Sequence, residues 1–243
     1  MQYIVGDIHG EITKLKKLIS CICTDDKAPE FIFIGDYIDK GENAMGTLNY
    51  LVELKGRFNC IFLSGNHEYL WLNMKEGDTD TQAYLLKHGA GQTMLSLDVK
   101  DIHLAKRKLM DSFGDFFLNL KPYWKGADHI AVHSGIKPED YDKPMELIDV
   151  SRLIFNRYDF IKQEKLYLGK YRVVFGHTGF YAPYVDPYKI GVDTSACYIK
   201  EQPLTAYIPE QNSFIDSDNK KYPLKISNDN CPNIPRTKPY RTC

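Results

Sequence analysis

Neither sign of charge is in excess in this chain of 243 residues: 31 lysines and arginines stand against 32 acids, a formal net charge of -1. That balance leaves no electrostatic footprint for nucleic acid or a membrane surface, so an anionic ligand must be drawn by local charge or by bound metal. No apolar run approaches the roughly 20 residues that a membrane-spanning helix needs. The first apolar run begins at Tyr3, which leaves no room ahead of it for a leader, and a cytoplasmic protein is expected. Cysteine is present without pattern: Cys21, Cys23, Cys60, Cys197, Cys231 and Cys243 show neither zinc-finger nor redox spacing. They read as buried or incidental thiols of a reducing compartment. Internal repeats and domain linkers are also lacking. What remains, 43% hydrophobic and 26% charged residues, is ordinary globular composition, with enough chain for one large domain.

The most informative stretch is Gly35-Asp36-Tyr37-Ile38-Asp39-Lys40-Gly41, which follows the apolar run Phe31-Ile32-Phe33-Ile34. The run reads as a buried strand. Two acids three residues apart at its end need a reason, since an unpaired carboxylate is costly to bury. Read alone, the motif is either a solvated turn or a site in which Asp36 bridges two metal ions. The neighbouring chain favours the second reading. Tyr3-Ile4-Val5 reads as a strand and runs into Gly6-Asp7-Ile8-His9-Gly10. Ile12, Leu15, Leu18, Ile19 and Ile22 then recur at helical spacing. The strand–helix–strand order makes the two strands parallel and puts Asp7, His9 and Asp36 at carboxyl ends, where open α/β sheets place their sites. A second helix is expected from about Ala44 to Lys55, with Leu48, Leu51, Val52 and Leu54 inward. A third strand, Cys60-Ile61-Phe62-Leu63, ends in Ser64-Gly65-Asn66-His67-Glu68. Three strand ends in register now carry metal-competent or acid–base residues.

Residues 69 to 128 read as helix without strand pattern, long enough to cap one side of the site. His88 and His103 there are taken as non-ligands. His129-Ile130-Ala131-Val132-His133 returns to strand, with His133 at the end where the other motifs gather and His129 structural. Arg172-Val173-Val174-Phe175-Gly176-His177 repeats the pattern. Arg157 offers a planar fork that fits phosphate. Late strands are expected at Ile190 to Thr194 and Leu204 to Ile208. Residues 209 to 243 turn polar, hold five prolines, and read as a tail tied to the surface of a domain spanning residues 1 to 208. Asp7, His9, Asp36, Asn66, His133 and His177 supply oxygen and imidazole nitrogen but no sulfur. That set suits two divalent ions, manganese first, with iron, zinc or nickel as alternatives. Asp36 would be shared, with Asp7 and His9 on one side and Asn66, His133 and His177 on the other.

Gly6-Asp7-Ile8-His9-Gly10, Gly35-Asp36 to Gly41, Gly65-Asn66-His67-Glu68, His133-Ser134-Gly135 and Gly176-His177-Thr178 resemble, in order, the signature of calcineurin-like metallophosphoesterases. More narrowly, they look like the small bacterial and phage branch of the phosphoprotein phosphatases. Leu86 to Thr93, Leu153 to Arg157, Asp193-Thr194 and Leu204 to Tyr207 resemble further segments of that branch. The resemblance implies an α/β fold, a two-sheet β-sandwich flanked by helices, with a dinuclear metal centre and phosphoester hydrolysis. It implies in-line attack by water without a covalent enzyme intermediate. Arg157, Lys40 and the Asn66 amide would stabilise the equatorial oxygens, and His67, held and charged by Asp39, would protonate the leaving oxygen. The expected substrate is phosphoserine or phosphothreonine of a protein, or a small phosphoester, and a monomer is expected. The alternatives are a hydrolase of dinucleoside tetraphosphates and a metal-stabilised binding module without catalysis. Two positions depart from the pattern. Lys40 stands where arginine is usual, keeping charge but not the bidentate fork, and Ser195 stands where glycine is usual.

Overall fold

A computed structural model describes residues 1–166 and 168–226 of the chain. Short strands and helices alternate at first: β1 (Gln2–Val5), α1 (Ile12–Asp25), β2 (Glu30–Phe33), α2 (Ala44–Arg57) and β3 (Asn59–Phe62). β2 pairs in parallel with both β1 and β3, as the connecting helices require. Four helices follow: α3 (Asn66–Asn73), α4 (Thr79–Lys87), α5 (Ala90–Ser96) and α6 (Ile102–Leu118). The second half contributes β4 (Tyr123–Lys125), β5 (His129–Val132), α7 (Ser151–Ile154), α8 (Tyr158–Ile161), β6 (Arg172–Phe175), β7 (Tyr184–Val185) and β8 (Lys189–Gly191). It ends with β9 (Thr205–Ile208), β10 (Ser213–Asp216) and β11 (Lys221–Pro223).

The strands form two sheets, one of six in the order β11-β10-β9-β1-β2-β3 and one of five in the order β4-β5-β6-β8-β7. Period-two alternation sorts the core into three clusters. Ile4, Ile32, Ile34, Ala131, Val174, Val192, Tyr207 and Phe214 meet between the sheets. Tyr3, Val5, Phe31, Phe33 and Phe62 point outward from the six-stranded sheet and are covered by α1 to α6. Ile130, Val132, Val173 and Phe175 point outward from the five-stranded sheet, under α7 and α8. The result is a two-sheet sandwich with helices on both faces. Aromatic rings fill the larger helical side: Phe33 stacks on Phe62 at 5.1 Å, and Phe116 meets Phe62 at 4.9 Å and Tyr37 at 5.4 Å.

Three expectations need correction. Val52 is 46% exposed, because the buried stripe of α2 runs Ala44, Thr47, Leu48, Leu51, Leu54 and leaves Val52 at its rim. Residues 69 to 128 include a strand, β4, which pairs antiparallel with β5. Their helices pack in the same core cluster as α1 and α2, as a layer on the six-stranded sheet. The chain after residue 208 is not merely surface: β10 and β11 extend the sheet, and Phe214 and Ile215 are buried in it. Tyr222 and Lys221 alternate with little apolar signal, which is why that hairpin is quiet in the sequence. Residues 227 to 243, including Cys231 and Cys243, lie outside the described residues.

Candidate metal centre

The acids and histidines of the five motifs converge at the carboxyl ends of β1, β2, β3, β5 and β6. Backbone conformation aims them. His9, Asp36, Asp39, Lys40 and His177 all have positive φ, between 46° and 68°, a region that L-residues occupy only when their surroundings hold them there. They are five of the nine such non-glycine residues among those described, so the strain is concentrated at one place. Two glycines make room. A Cβ on Gly65 would lie well inside contact distance of Asp36 Oδ1, and one on Gly176 would do the same to Asp7 Oδ1.

Two groups of potential ligand atoms result, His9–Asp36–His67 and Asp36–His133–His177, each with its atoms within 4.8 Å of one another. Asp36 is common to both. Its Oδ2 is 3.1 Å from His9 Nε2 and its Oδ1 is 3.5 Å from His133 Nε2. Asn66 Oδ1 is 3.0 Å from that same His133 nitrogen. Asp7 falls in neither group: both its oxygens accept from the His177 N–H, at 3.1 and 3.0 Å. His67, expected outside the ligand set, lies near it, with Nε2 4.0 Å from Asp36 Oδ2.

The second ring nitrogens separate these histidines by role. His9 Nδ1 donates to the Ile38 carbonyl at 2.8 Å and His133 Nδ1 to the Ile34 carbonyl at 3.0 Å. A neutral backbone acceptor fixes the tautomer that turns a bare Nε2 toward the site. His67 Nδ1 instead faces a carboxylate, Asp39 Oδ2, at 2.6 Å. Asp39 is fully buried and secured by the Trp71 indole N–H, 3.1 Å from both oxygens, and by the Thr93 hydroxyl at 2.6 Å.

Electrostatics agree with the tautomers. Burial, then Lys40, push the His9 imidazole down to about 4. Burial likewise lowers His133, and burial with His133 and Arg157 holds His177 well below its ordinary range. Burial alone would raise Asp36, but His133, His67 and His9 around it hold it well below the usual carboxylate range. Asp7 shifts the other way, raised by burial and by the neighbouring Asp193 and Asp36. Neutral imidazoles around an ionised carboxylate are the protonation states a divalent ion needs. The site also attracts positive charge from the protein itself. Lys40 Nζ is 2.6 Å from His9 Nε2, and Arg157 approaches His177 Nε2 at 3.1 and 3.3 Å. This donor set of oxygen and nitrogen fits divalent ions of the manganese, iron and zinc kind.

Three contributors have no assigned role in the sequence reading: Glu68, Trp71 and Thr93. Glu68 accepts from the Asp36 N–H at 2.9 Å, the Tyr37 N–H at 2.8 Å and the Gly65 N–H at 3.2 Å, so one carboxylate ties the second motif to the third. Its place at the third position of α3, after Gly65, is the capping signal that marks it. Trp71 is one helical turn beyond His67, and that spacing alone puts both on one face. His88 packs against Tyr84 with tilted rings 4.1 Å apart and His103 pairs with Gln82 at 3.0 Å, neither among the ligand groups. His129 is bound by Asp128 at 2.6 Å and Tyr207 at 3.1 Å. Replacing Glu68 with glutamine turns an amide N–H toward backbone donors. The expected loss is about 1–3 kcal/mol of folding stability by denaturant titration.

Acids and imidazoles at adjoining strand ends of a two-sheet sandwich form a centre that could hold divalent metal ions. The model of the calcineurin-like phosphoesterase family matches residues 3–210, and the chain belongs to that family. It is a metallophosphoesterase, and the family implies divalent metal ions. Over 138 residues it is 34% identical to the serine/threonine-protein phosphatase 2B catalytic subunit A2 of Saccharomyces cerevisiae. That match spans 56% of this chain but only 20% of the yeast protein. The fold is similar to that of a cold-active protein-tyrosine phosphatase of a psychrophilic Shewanella. The TM-score is 0.66 at 16% identity, covering 92% of this chain and 80% of the other. A putative diadenosine tetraphosphatase is similar at TM-score 0.60 and 18% identity, covering 88% and 91%.

Proposed function

We propose that this phosphoesterase is a dinuclear, manganese-dependent protein phosphatase acting on phosphoserine and phosphothreonine. In this reading Asp7, His9 and Asp36 hold one ion, and Asp36, Asn66, His133 and His177 hold the other. When bound, the ions polarise the phosphoryl oxygens and activate the attacking water. Lys40, Arg157 and the Asn66 amide bind the equatorial phosphoryl oxygens and neutralise the charge that develops there. His67 gives a proton to the leaving oxygen, and Asp39 orients the ring through Nδ1.

The observation that carries the hydrolytic reading is the His67–Asp39 pair, which the dinucleotide reading shares; the phosphatase-like His88 to Thr93 segment favours the phosphoprotein substrate. An alkoxide leaves very poorly without a proton, and an acid held by a buried carboxylate with indole and hydroxyl donors behind it is built to supply one. The similarity to the yeast serine/threonine phosphatase supports the same reading. All four cysteines among the described residues are free thiols, which suits a reducing cytoplasm. No described helix is long and apolar enough to cross a membrane.

The test is a comparison of substrates after loading with manganese. Phosphate release from a phosphoserine peptide should exceed cleavage of diadenosine tetraphosphate in kcat/KM. The reverse order would assign the dinucleotide reading. No turnover of either would assign a binding module.

A further inference from the structure

Lys40 is a flexible point charge in a place that needs a fixed one. Its backbone is firmly set: φ is 64°, and its N–H donates to the Gly89 carbonyl at 3.1 Å. Gly89 lies flush against it, since a Cβ there would collide with Lys40 backbone and Cγ. Among the described residues, the ammonium end lies against two rings, within the field of Asp36 and Cys197. One is that of His9, with Nε2 2.6 Å away. The other is the ring of Tyr198, whose centroid is 4.7 Å from Nζ. Tyr198 comes from the loop between β8 and β9, stands edge-on to the His9 ring at 6.3 Å, and is 41% exposed. It thus stands at the solvent side of the ligand groups while its face covers the ammonium. Its hydroxyl interacts with the same ammonium.

A lone pair on His9 Nε2 serves one cation at a time. If it serves a metal ion, Lys40 loses that partner and is also repelled by the ion. The Tyr198 face then remains against the ammonium and sets its direction, while Asp36 attracts it only through the field of the site. A ring face attracts an ammonium without neutralising it, so the charge stays available to an anion.

We propose that Tyr198 is a positioning residue: its ring holds the Lys40 ammonium at the mouth of the metal site, so that a flexible lysine binds phosphate oxygens as a fixed donor. This rests on the reading of Lys40 as a phosphate ligand. A carboxylate partner would hold the lysine more tightly but would cancel its charge and repel the substrate.

The experiment is a double-mutant cycle on the manganese-loaded protein, read by calorimetric binding of inorganic phosphate and by elemental analysis of metal content. Inorganic phosphate has no leaving group, so direct contact of Tyr198 with a peptide does not enter. Lys40→Met should weaken phosphate binding about 10- to 100-fold, as loss of a hydrogen bond to a charged group does. Tyr198→Leu should weaken it about three- to tenfold, and Tyr198→Phe, which keeps the ring, by less. In the Lys40→Met background Tyr198→Leu should have no further effect. Metal content should stay at the level of the unmodified protein throughout. A Tyr198→Leu effect of the same size in both backgrounds would overturn the proposal, as would loss of metal or unchanged phosphate affinity in that variant. Unchanged affinity in Lys40→Met would instead remove Lys40 from phosphate binding, and the role of Tyr198 with it.

Discussion

Asp36→Asn is expected to empty both metal positions, where His9→Ala and Asn66→Ala each spare one. The reason lies in the two ligand groups, which share only Asp36. The substitution keeps size and shape but removes the one negative charge that His9, His133 and His67 surround. It also turns an amide N–H toward imidazole nitrogens that have their bare lone pairs aimed at the site. Elemental analysis after dialysis against manganese should rank the three variants with Asp36→Asn lowest. Phosphoesterase activity should fall about 10³-fold or more, because the clamp on the phosphoryl oxygens is lost with the ions. Equal metal content in all three variants would remove Asp36 from a bridging role.

His67→Asn should leave metal content intact and cost the hydrolysis of an alkyl phosphoester about 10²–10⁴-fold. A general acid matters in proportion to how badly the leaving group needs a proton. An activated aryl phosphate needs little help, so the same variant should lose much less with that substrate. Asp39→Asn should show the same pattern more weakly, since Trp71 and Thr93 still hold its side chain. The measurement is the rate constant for both substrates at matched metal content. A loss of metal in His67→Asn would place His67 in the ligand set, which its 4.0 Å approach to Asp36 makes the sharpest alternative. Equal slowing of both substrates would give it a role in positioning phosphate.

The strand ends were the most legible part of this chain. Each motif follows an apolar run such as Phe31 to Ile34, and a polar pair after a buried strand has no structural reason to be there. The division of partners was not legible. Sequence spacing says nothing of which carbonyl or carboxylate a ring Nδ1 meets, and that contact is what separates His9 and His133 from His67. Asp39 shows the same limit. Its supports arrive from Trp71 and from Thr93, 54 residues away, through the packing of α3 and α5 on the sheet. The hairpin of β10 and β11 was missed because its apolar content is Phe214 and Ile215, and Tyr222 beyond them, among charged and polar neighbours. β10 is itself largely buried, but two adjacent apolar residues among polar ones give neither a period-two alternation nor a continuous apolar run. Val52 misled for the opposite reason, being apolar and helical yet one step outside the stripe that α2 buries.

Titration of the metal-free protein with manganese addresses the whole account at once, with bound metal and phosphate release from a phosphoserine peptide followed in the same samples. Two ions per chain should bind, and activity should rise to its plateau only as the second position fills. Saturation at a single ion, or full activity in the presence of excess chelator, would contradict it.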